Sequence, residues 1–351
     1  MSLESFSIGD RQIGAGHPCF VIAEAGVNHN GDTDIARRLM DVAAEAGADA
    51  VKFQTFSAER LVTKEAPKAE YQKRTTNAGE SQYEMLKRLE LSETVHRDLM
   101  AHARERNLLF LSTPFEEESA DFLEQLDIAA FKIPSGEITN TPFLAHVARK
   151  GRPMILSTGM STLDEVRLAV ESIRAAGNPP LGLLHCISNY PANPADANLR
   201  AMATMRDAFG VPVGYSDHTL GQEIALAAVA LGACILEKHF TLDRNLPGPD
   251  HRASMEPDEL TELIRSLREV ESALGDGIKR PVNSESEVAK VARKSLFATA
   301  DLKRGTQVRP EHFMSRRPGD GMSPSTLPEL LGKKTATDIQ AGEAIRPEMF
   351  S

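Results

Sequence analysis

Eight short runs of apolar and β-branched residues recur along the first 240 residues, at 20–24, 49–54, 108–113, 128–133, 153–157, 181–187, 211–216 and 233–239. Each is nearly continuous rather than alternating, the pattern of a parallel strand covered on both faces. Between the runs, apolar residues fall at helical spacing, as with Ile35, Leu39, Val42, Ala43 and Ala46, or Val166, Ala169, Val170 and Ile173. Gly47, Gly177, Gly210 and Gly232 each follow a helical stretch, where a left-handed cap is expected. Eight strand-then-helix units predict an α/β chain whose residues 1–277 form a (β/α)8 TIM barrel. The competing open sheet would need a glycine-rich phosphate turn after the first strand. The chain there reads EAGVNHNGD, which matches neither GxGxxG nor a P-loop. One connection stands apart: residues 55–93 are long, polar and rich in charged and Gln residues, as in a lid or mobile segment.

Past a helical stretch at 257–274 the pattern changes. Residues 278–290 lack periodicity and are expected to be a linker. Residues 291–351 carry short strand-like runs between turns, with similar D-[LI]-x-x-G turns at Asp301–Gly305 and Asp338–Gly342, and predict a small β-rich domain. A length of 351 residues accommodates one large and one small domain without staples. The formal net charge of −10 argues against non-specific nucleic-acid binding. The tail itself is basic, so the acidic body and the tail are suited to dock, within one chain or between two. Cys19, Cys186 and Cys234 fit neither a disulfide framework nor a zinc cluster, and Cys186 and Cys234, inside apolar runs, are expected to be buried thiols, which fits a reducing compartment. The first residues, MSLESFSIGDRQ, lack the features of a secretory signal, and no apolar run is long enough to cross a bilayer. A cytoplasmic protein that binds no membrane is the expectation.

In a barrel of this kind the chemistry sits at the C-terminal ends of the strands. All eight runs end in polar or ionisable residues: Glu24; Lys52 and Gln54; Ser112 and Thr113; Lys132, Ser135 and Glu137; Ser157 and Thr158; His185, Ser188 and Tyr190; Ser216, Asp217 and His218; and Glu237, Lys238 and His239. Lys52 and Lys132 each lie between apolar neighbours, so each ammonium needs a partner. Three readings stand: a structural ion pair with Glu24 or Glu137, a pair of cations for phosphate or carboxylate aided by Thr113, Ser135, Ser157 and Ser216, or a Schiff-base lysine. His218 and His239, on consecutive strand ends, are placed either to share a divalent ion or to serve as hydrogen-bonded structural residues. Asp250 lies in the loop after the eighth strand, where a substrate contact is expected. Arg316 and Arg317 sit in a Pro/Gly turn of the tail.

The segments AEAGVNHNGD, DAVKFQTF, STPF, FKIPSGE, LSTGM, HC-x-S-x-YP, YSDHT, LEKHFTLD and GPDH occur in this order and resemble the bacterial sialic acid synthases, the phosphoenolpyruvate-dependent nonulosonic acid synthases. The tail, with KRGTQV and RRPGDG, is similar to their C-terminal antifreeze-like (SAF) domain. The resemblance implies a transferase of carbohydrate and lipopolysaccharide biosynthesis that joins phosphoenolpyruvate, an N-acetylated hexosamine and water into a nine-carbon 2-keto acid and phosphate. It implies that Lys52, Thr113, Lys132, Ser135, Ser157, Ser188 and Ser216 hold phosphoenolpyruvate, with Ser188 standing where some members carry Asn. Gln54, Glu137, Tyr190 and Asp250 would contact the sugar, and Glu24 or Glu137 would handle a proton. His218 and His239 would hold Mn2+, with Mg2+ or Co2+ as alternatives. Arg317 would reach the sugar from the other subunit of a domain-swapped homodimer. N-acetylmannosamine, giving N-acetylneuraminate, is the first expectation for the acceptor. A 6-deoxy 2,4-diacetamido sugar, giving legionaminic acid, is the second. A Schiff-base pyruvate aldolase and a non-catalytic carbohydrate-binding protein are the rival readings.

Overall fold

The computed structural model describes residues 5–77 and 79–351. The chain divides into two compact units, Met1–Gly275 and Asp276–Ser351. The first unit opens with a hairpin of β1 (Phe6–Ile8) and β2 (Arg11–Ile13). Eight parallel strands follow: β3 (Phe20–Gly26), β4 (Ala50–Thr55), β5 (Leu109–Pro114), β6 (Phe131–Ile133), β7 (Met154–Ser157), β8 (Leu181–Cys186), β9 (Val213–Asp217) and β10 (Ile235–His239). Their order is β5-β4-β3-β10-β9-β8-β7-β6, with β5 and β6 side by side, so the sheet rolls into the expected (β/α)8 barrel. Phe6, Ile8 and Ile13 of the hairpin pack with Phe20, Ile22, Leu111, Ile155 and Ile235 in one apolar cluster at the N-terminal end of the strands. That cluster fills the barrel floor and leaves the opposite end for chemistry.

The helices form where the stripes predict. Thr33–Glu45 is capped by the Asp32 carboxylate, which accepts from the Asp34 and Ile35 amides, and buries Ala36, Leu39, Met40 and Ala43. Leu163–Ala176 starts on a Thr162/Glu165 capping box and buries Val166, Ala169, Val170 and Ile173. Burying each large aliphatic side chain of such a stripe contributes roughly 1.5–3 kcal/mol. Gly47, Gly210 and Gly232 take positive φ as expected, but Gly177 does not. Its φ is −166°, and the left-handed position passes to Asn178 at φ 49°. Glycine is needed at 177 for another reason: a Cβ there would lie 2.4 Å from the Ala148 carbonyl oxygen.

Residues 55–93 are not a structureless loop. They hold the short helices Ala58–Leu61, Glu70–Thr75 and Gln82–Leu89. Met85 and Leu89 pack with Val27 and Phe56 into a separate cluster. The sequence hides this because the few apolar residues, confined to helices this short, make no sustained stripe.

In the second unit, helix Ser286–Ala292 forms across the end of the stretch read as linker, and all but two of its residues are exposed. β11 (Ser295–Ala298) and β12 (Phe313–Arg316) pair antiparallel. The two D-[LI]-x-x-G turns belong to a longer repeat, DLKRGTQVRPEHF at 301–313 and DIQAGEAIRPEMF at 338–350. The copies clasp each other. Asp338 accepts from the Arg304 amide and Asp301 from the Ala341 amide, each at 2.8 Å, and Leu302 pairs with Ile339. Leu302, Val308, Phe313, Ile339 and Ile345 share the core of this unit.

Candidate active site

The C-terminal strand ends surround a cavity of about 370 Å³. Glu24, Lys52, Gln54, Thr113, Lys132, Ser135, Glu137, Ser157, Tyr190, Ser216, His218, His239 and Asp250 all line it, so the structure brings these predicted site residues together. Ser188 stands one step back, its hydroxyl 3.1 Å from that of Ser135. The backbone at Gly159 is wedged against this pair: a Cβ there would fall 2.3 Å from Ser188 Oγ and 2.8 Å from Cys186 Sγ. Arg317 lies in the second unit, on its surface.

At the centre is a buried ionic cluster. Lys52 Nζ is 2.7 Å from Glu24 Oε2, donates to Thr113 Oγ1 at 2.9 Å, and lies 3.9 Å from Glu237 Oε2. Lys132 Nζ is 3.1 Å from Glu237 Oε1, which also accepts from Ser216 Oγ at 2.8 Å. The partner of Lys132 is therefore Glu237 and not Glu137, which instead accepts from Asn140 Nδ2 at 2.7 Å. Glu237 is the residue that sequence reasoning missed. It was visible as a strand-end carboxylate, but only the ladder, which places Glu237 level with Ser216, shows that it is the central anion.

Not every polar strand end reaches the cavity. The period-two alternation of a strand turns Ser112, Thr158, His185, Asp217 and Lys238 outward, and they are engaged there. Ser112 bonds Thr55 at 2.6 Å, Thr158 the Leu184 carbonyl at 3.0 Å and His185 the Ala197 carbonyl at 2.8 Å. Lys238 lies 2.6 Å from Asp217. These residues hold strand ends in register and are not site residues. The three cysteines are free and buried, as expected for Cys186 and Cys234.

The cluster divides its protons unequally. Burial pushes Glu24 up to about 7, with Lys52 pulling the other way and Glu237 adding to the rise. Burial works against an ionised Glu237 as well, but Lys132 and Lys52 overcome it and bring that carboxylate down to about 2. Burial disfavours both ammonium groups. Glu24 and Glu237 more than offset this at Lys52, whose pKa rises, whereas Lys132 falls below its usual value despite Glu237. Asp250 is pushed up to about 6 by burial, partly offset by Lys52.

A family model for the NeuB family matches residues 39–279, and one for the SAF domain matches residues 293–351. This chain belongs to the NeuB family. Among its curated relatives, the N,N'-diacetyllegionaminic acid synthase of Legionella pneumophila is 48% identical over 96% of this chain and 96% of its own. The human N-acetylneuraminate-9-phosphate synthase is 37% identical over 99% of this chain and 97% of its own. A sialic acid synthetase of Leptospira borgpetersenii, solved with citrate, is 37% identical, covers 81% of this chain and 95% of its own, and superposes with a TM-score of 0.72. The NeuB-family chain is thus an enzyme of the nonulosonic acid synthase type. Among its described residues, no helix is long and apolar enough to cross a membrane.

The imidazole pair of this NeuB-family site suits a divalent ion. His218 Nδ1 donates to the Ile187 carbonyl at 2.6 Å, which leaves Nε2 unprotonated, 3.4 Å from Ser216 Oγ. The His218 and His239 ring centres are 5.4 Å apart, and His239 Nδ1 is buried without a hydrogen-bond partner. Burial lowers both pKa values and, for His239, so does His218, so both rings are in the neutral form that ligates metal. Among the described residues, no group of three or more His, Cys, Asp or Glu side chains is gathered for a metal. Oxygens from solvent or substrate would have to complete the shell.

Proposed function

We propose that this chain condenses phosphoenolpyruvate with 2,4-diacetamido-2,4,6-trideoxymannose and water, giving N,N'-diacetyllegionaminate and phosphate. This reverses the order of acceptors expected from the sequence, where N-acetylmannosamine came first. The observation that carries the choice is the 48% identity, over nearly both full lengths, to a diacetyllegionaminic acid synthase.

Lys52 and Lys132 face one cavity and would bind the carboxylate and phosphate of phosphoenolpyruvate, with Ser157 Oγ, buried and without a partner, donating a further bond. Held so, C3 of phosphoenolpyruvate attacks the aldehyde carbon of the open-chain sugar, forming the new C–C bond. Positive charge develops at C2, and the Glu24 and Glu237 carboxylates, which line the same cavity, would stabilise it. Water adds at C2 and gives up a proton, and the C2–O bond to phosphate breaks as the ketone forms. Glu24, with its pKa near neutrality, is suited to take that water proton and to return one to the new hydroxyl. His218 and His239 would hold Mn2+ or a similar ion, which supplies Lewis-acid polarisation of a carbonyl oxygen when bound. Positioning of two reactants in this way is worth roughly 7–11 kcal/mol in favourable cases.

The test is phosphate release from phosphoenolpyruvate with each amino-sugar in turn, in the presence of Mn2+, Mg2+ or Co2+, with products weighed by mass spectrometry. The diacetamido sugar is expected to give the highest kcat/KM. A higher value for N-acetylmannosamine overturns the acceptor assignment, and absence of phosphate release with every sugar overturns the reaction. Borohydride trapping of pyruvate on Lys52 or Lys132 would instead support the aldolase reading.

A further inference from the structure

The cavity has two chemically different parts. The strand ends supply ammonium, carboxylate, hydroxyl and imidazole groups. The connection after β4 and the turn after β5 supply Leu61, Val62, Met85, Leu86, Leu89 and Phe115, with Gln72 and Gln82 as the polar members of the same connection. This apolar wall needs an explanation in a site for a small polyanion and a sugar. Phosphoenolpyruvate offers it one methylene group. A monoacetylated hexosamine offers a single acetamido methyl. The 2,4-diacetamido-2,4,6-trideoxy sugar offers two acetamido methyls and the C6 methyl.

The wall is also fixed in place. Met85 and Leu89 are buried against Val27 and Phe56, with Leu61, Leu86 and Phe115 packed on that cluster. The buried Lys68 ammonium ties Thr76, Asn77 and Glu80 together. Thr75 Oγ1 donates to the Pro249 carbonyl at 3.4 Å, next to Asp250. A surface held in this way selects shape and polarity in advance of binding.

We propose that Val62, Leu86 and Phe115, supported by Met85 and Leu89, form the selectivity wall of the acceptor site, receiving the methyl-bearing part of a deoxygenated, diacetylated hexosamine and disfavouring a hydroxylated or phosphorylated C6. The proposal rests on the acceptor assignment above and deepens it. An apolar pocket separates such near-isosteres by about 10–100-fold. A phosphate dianion placed against these apolar side chains would lose hydration, and the neutral Gln72 and Gln82 beside them offer no countercharge, so its exclusion is stronger.

The experiment uses the full-length chain with Val62→Thr, which is nearly isosteric, and Leu86→Gln, at a half-buried position. For parent and variants, kcat/KM is measured with the diacetamido sugar, N-acetylmannosamine and its 6-phosphate, and KM with phosphoenolpyruvate. The expected result is a fall of about 10-fold per substitution in the preference for the diacetamido sugar, carried by the acceptor KM, with the phosphoenolpyruvate KM within about two-fold of the parent. If the parent itself prefers N-acetylmannosamine, the acceptor assignment fails and the wall proposal with it. If the parent prefers the diacetamido sugar and Val62→Thr and Leu86→Gln both keep that preference, the wall proposal alone is overturned. Should Leu86→Gln not fold, Val62→Thr decides by the same ratio.

Discussion

Replacing Glu237 with glutamine keeps the shape of the side chain and removes its charge. In the parent, Glu237 lies 3.1 Å from Lys132 and 3.9 Å from Lys52 and accepts from Ser216 at 2.8 Å. Burial alone would raise its pKa, but the two ammonium groups bring it from 4.5 down to about 2. At about 1.4 kcal/mol per tenfold change in proton affinity, that difference amounts to about 3 kcal/mol of folding stability. Because the folded value is the lower one, this contribution is fully present above the unfolded pKa and is lost as pH falls toward about 2. An independent route gives a similar figure, since removing one partner of a buried ion pair costs roughly 3–5 kcal/mol. Glu237→Gln should therefore lower the stability of the unliganded protein by about 3 kcal/mol at pH 7, or Tm by roughly 6–12 °C for a unit of this size. Urea titrations at pH 7, 5 and 3 should show the gap nearly full at pH 5 and narrower at pH 3. Adding phosphoenolpyruvate at about 100 times its Kd stabilises a binding protein by about 3 kcal/mol. The rise in Tm should be larger in the variant, where the anion has both lysines without competition from Glu237. A gap under about 1 kcal/mol at pH 7, or one that widens on acidification, would refute the central role of this carboxylate.

Ser157→Ala removes a buried hydroxyl without a partner, so Tm should hold or rise slightly while the phosphoenolpyruvate KM increases about 10-fold; a lower Tm with unchanged KM would count against it. Binding of phosphoenolpyruvate should take up protons at pH 7 and few at pH 5, because added negative charge raises Glu24 and Asp250 further from about 7 and about 6. Calorimetry in buffers of different ionisation enthalpy reads this, and heats independent of buffer at pH 7 would contradict it. Deleting residues 276–351 tests the expectation from sequence that the basic tail serves the acceptor site of a homodimer. An increase of about 10-fold in the acceptor KM and a loss of dimer mass by light scattering are expected, and an unchanged acceptor KM would rule the expectation out.

The barrel was legible because its strands announce themselves by composition. Each of the eight runs became a strand within a few residues of its expected limits, helix Leu163–Ala176 buries the expected Val166, Ala169, Val170 and Ile173, and helix Thr33–Glu45 buries the expected Leu39 and Ala43 together with Ala36 and Met40, leaving Ile35 and Val42 half-buried. Most of the site was legible for the same reason, since a barrel directs strand ends to one mouth. What could not be read was which way each end residue points. Ser112 and Thr113 are adjacent in sequence, yet one bonds Thr55 behind the sheet and the other bonds Lys52 in the cavity. Glu237 escaped notice because its importance comes from Lys132 and Ser216, distant in sequence. The helices of 55–93 escaped because they are too short to show periodicity, and their stability comes from packing on Phe56 and Val27.

That alternation also separates a structural from a functional reading of the polar strand ends. Behind the sheet most of these strand-end polar groups are paired, the Tyr215 hydroxyl excepted: Thr55 joins His96 at 2.8 Å and Ser112 at 2.6 Å, and Lys238 donates to Asp217 and to the Thr219 carbonyl, both at 2.6 Å. Facing the cavity, Ser157 Oγ and His239 Nδ1 are buried and lack such partners. A buried hydroxyl or imidazole nitrogen without a hydrogen bond costs about 1–3 kcal/mol. Solubility would favour exposing these groups, and stability would favour pairing them or replacing them with apolar residues. Neither accounts for a hydroxyl at Ser157 and an imidazole nitrogen at His239 left unpaired at the lining of the cavity. Binding does account for it, because a ligand that brings oxygens to the inward positions recovers the cost at the moment it docks.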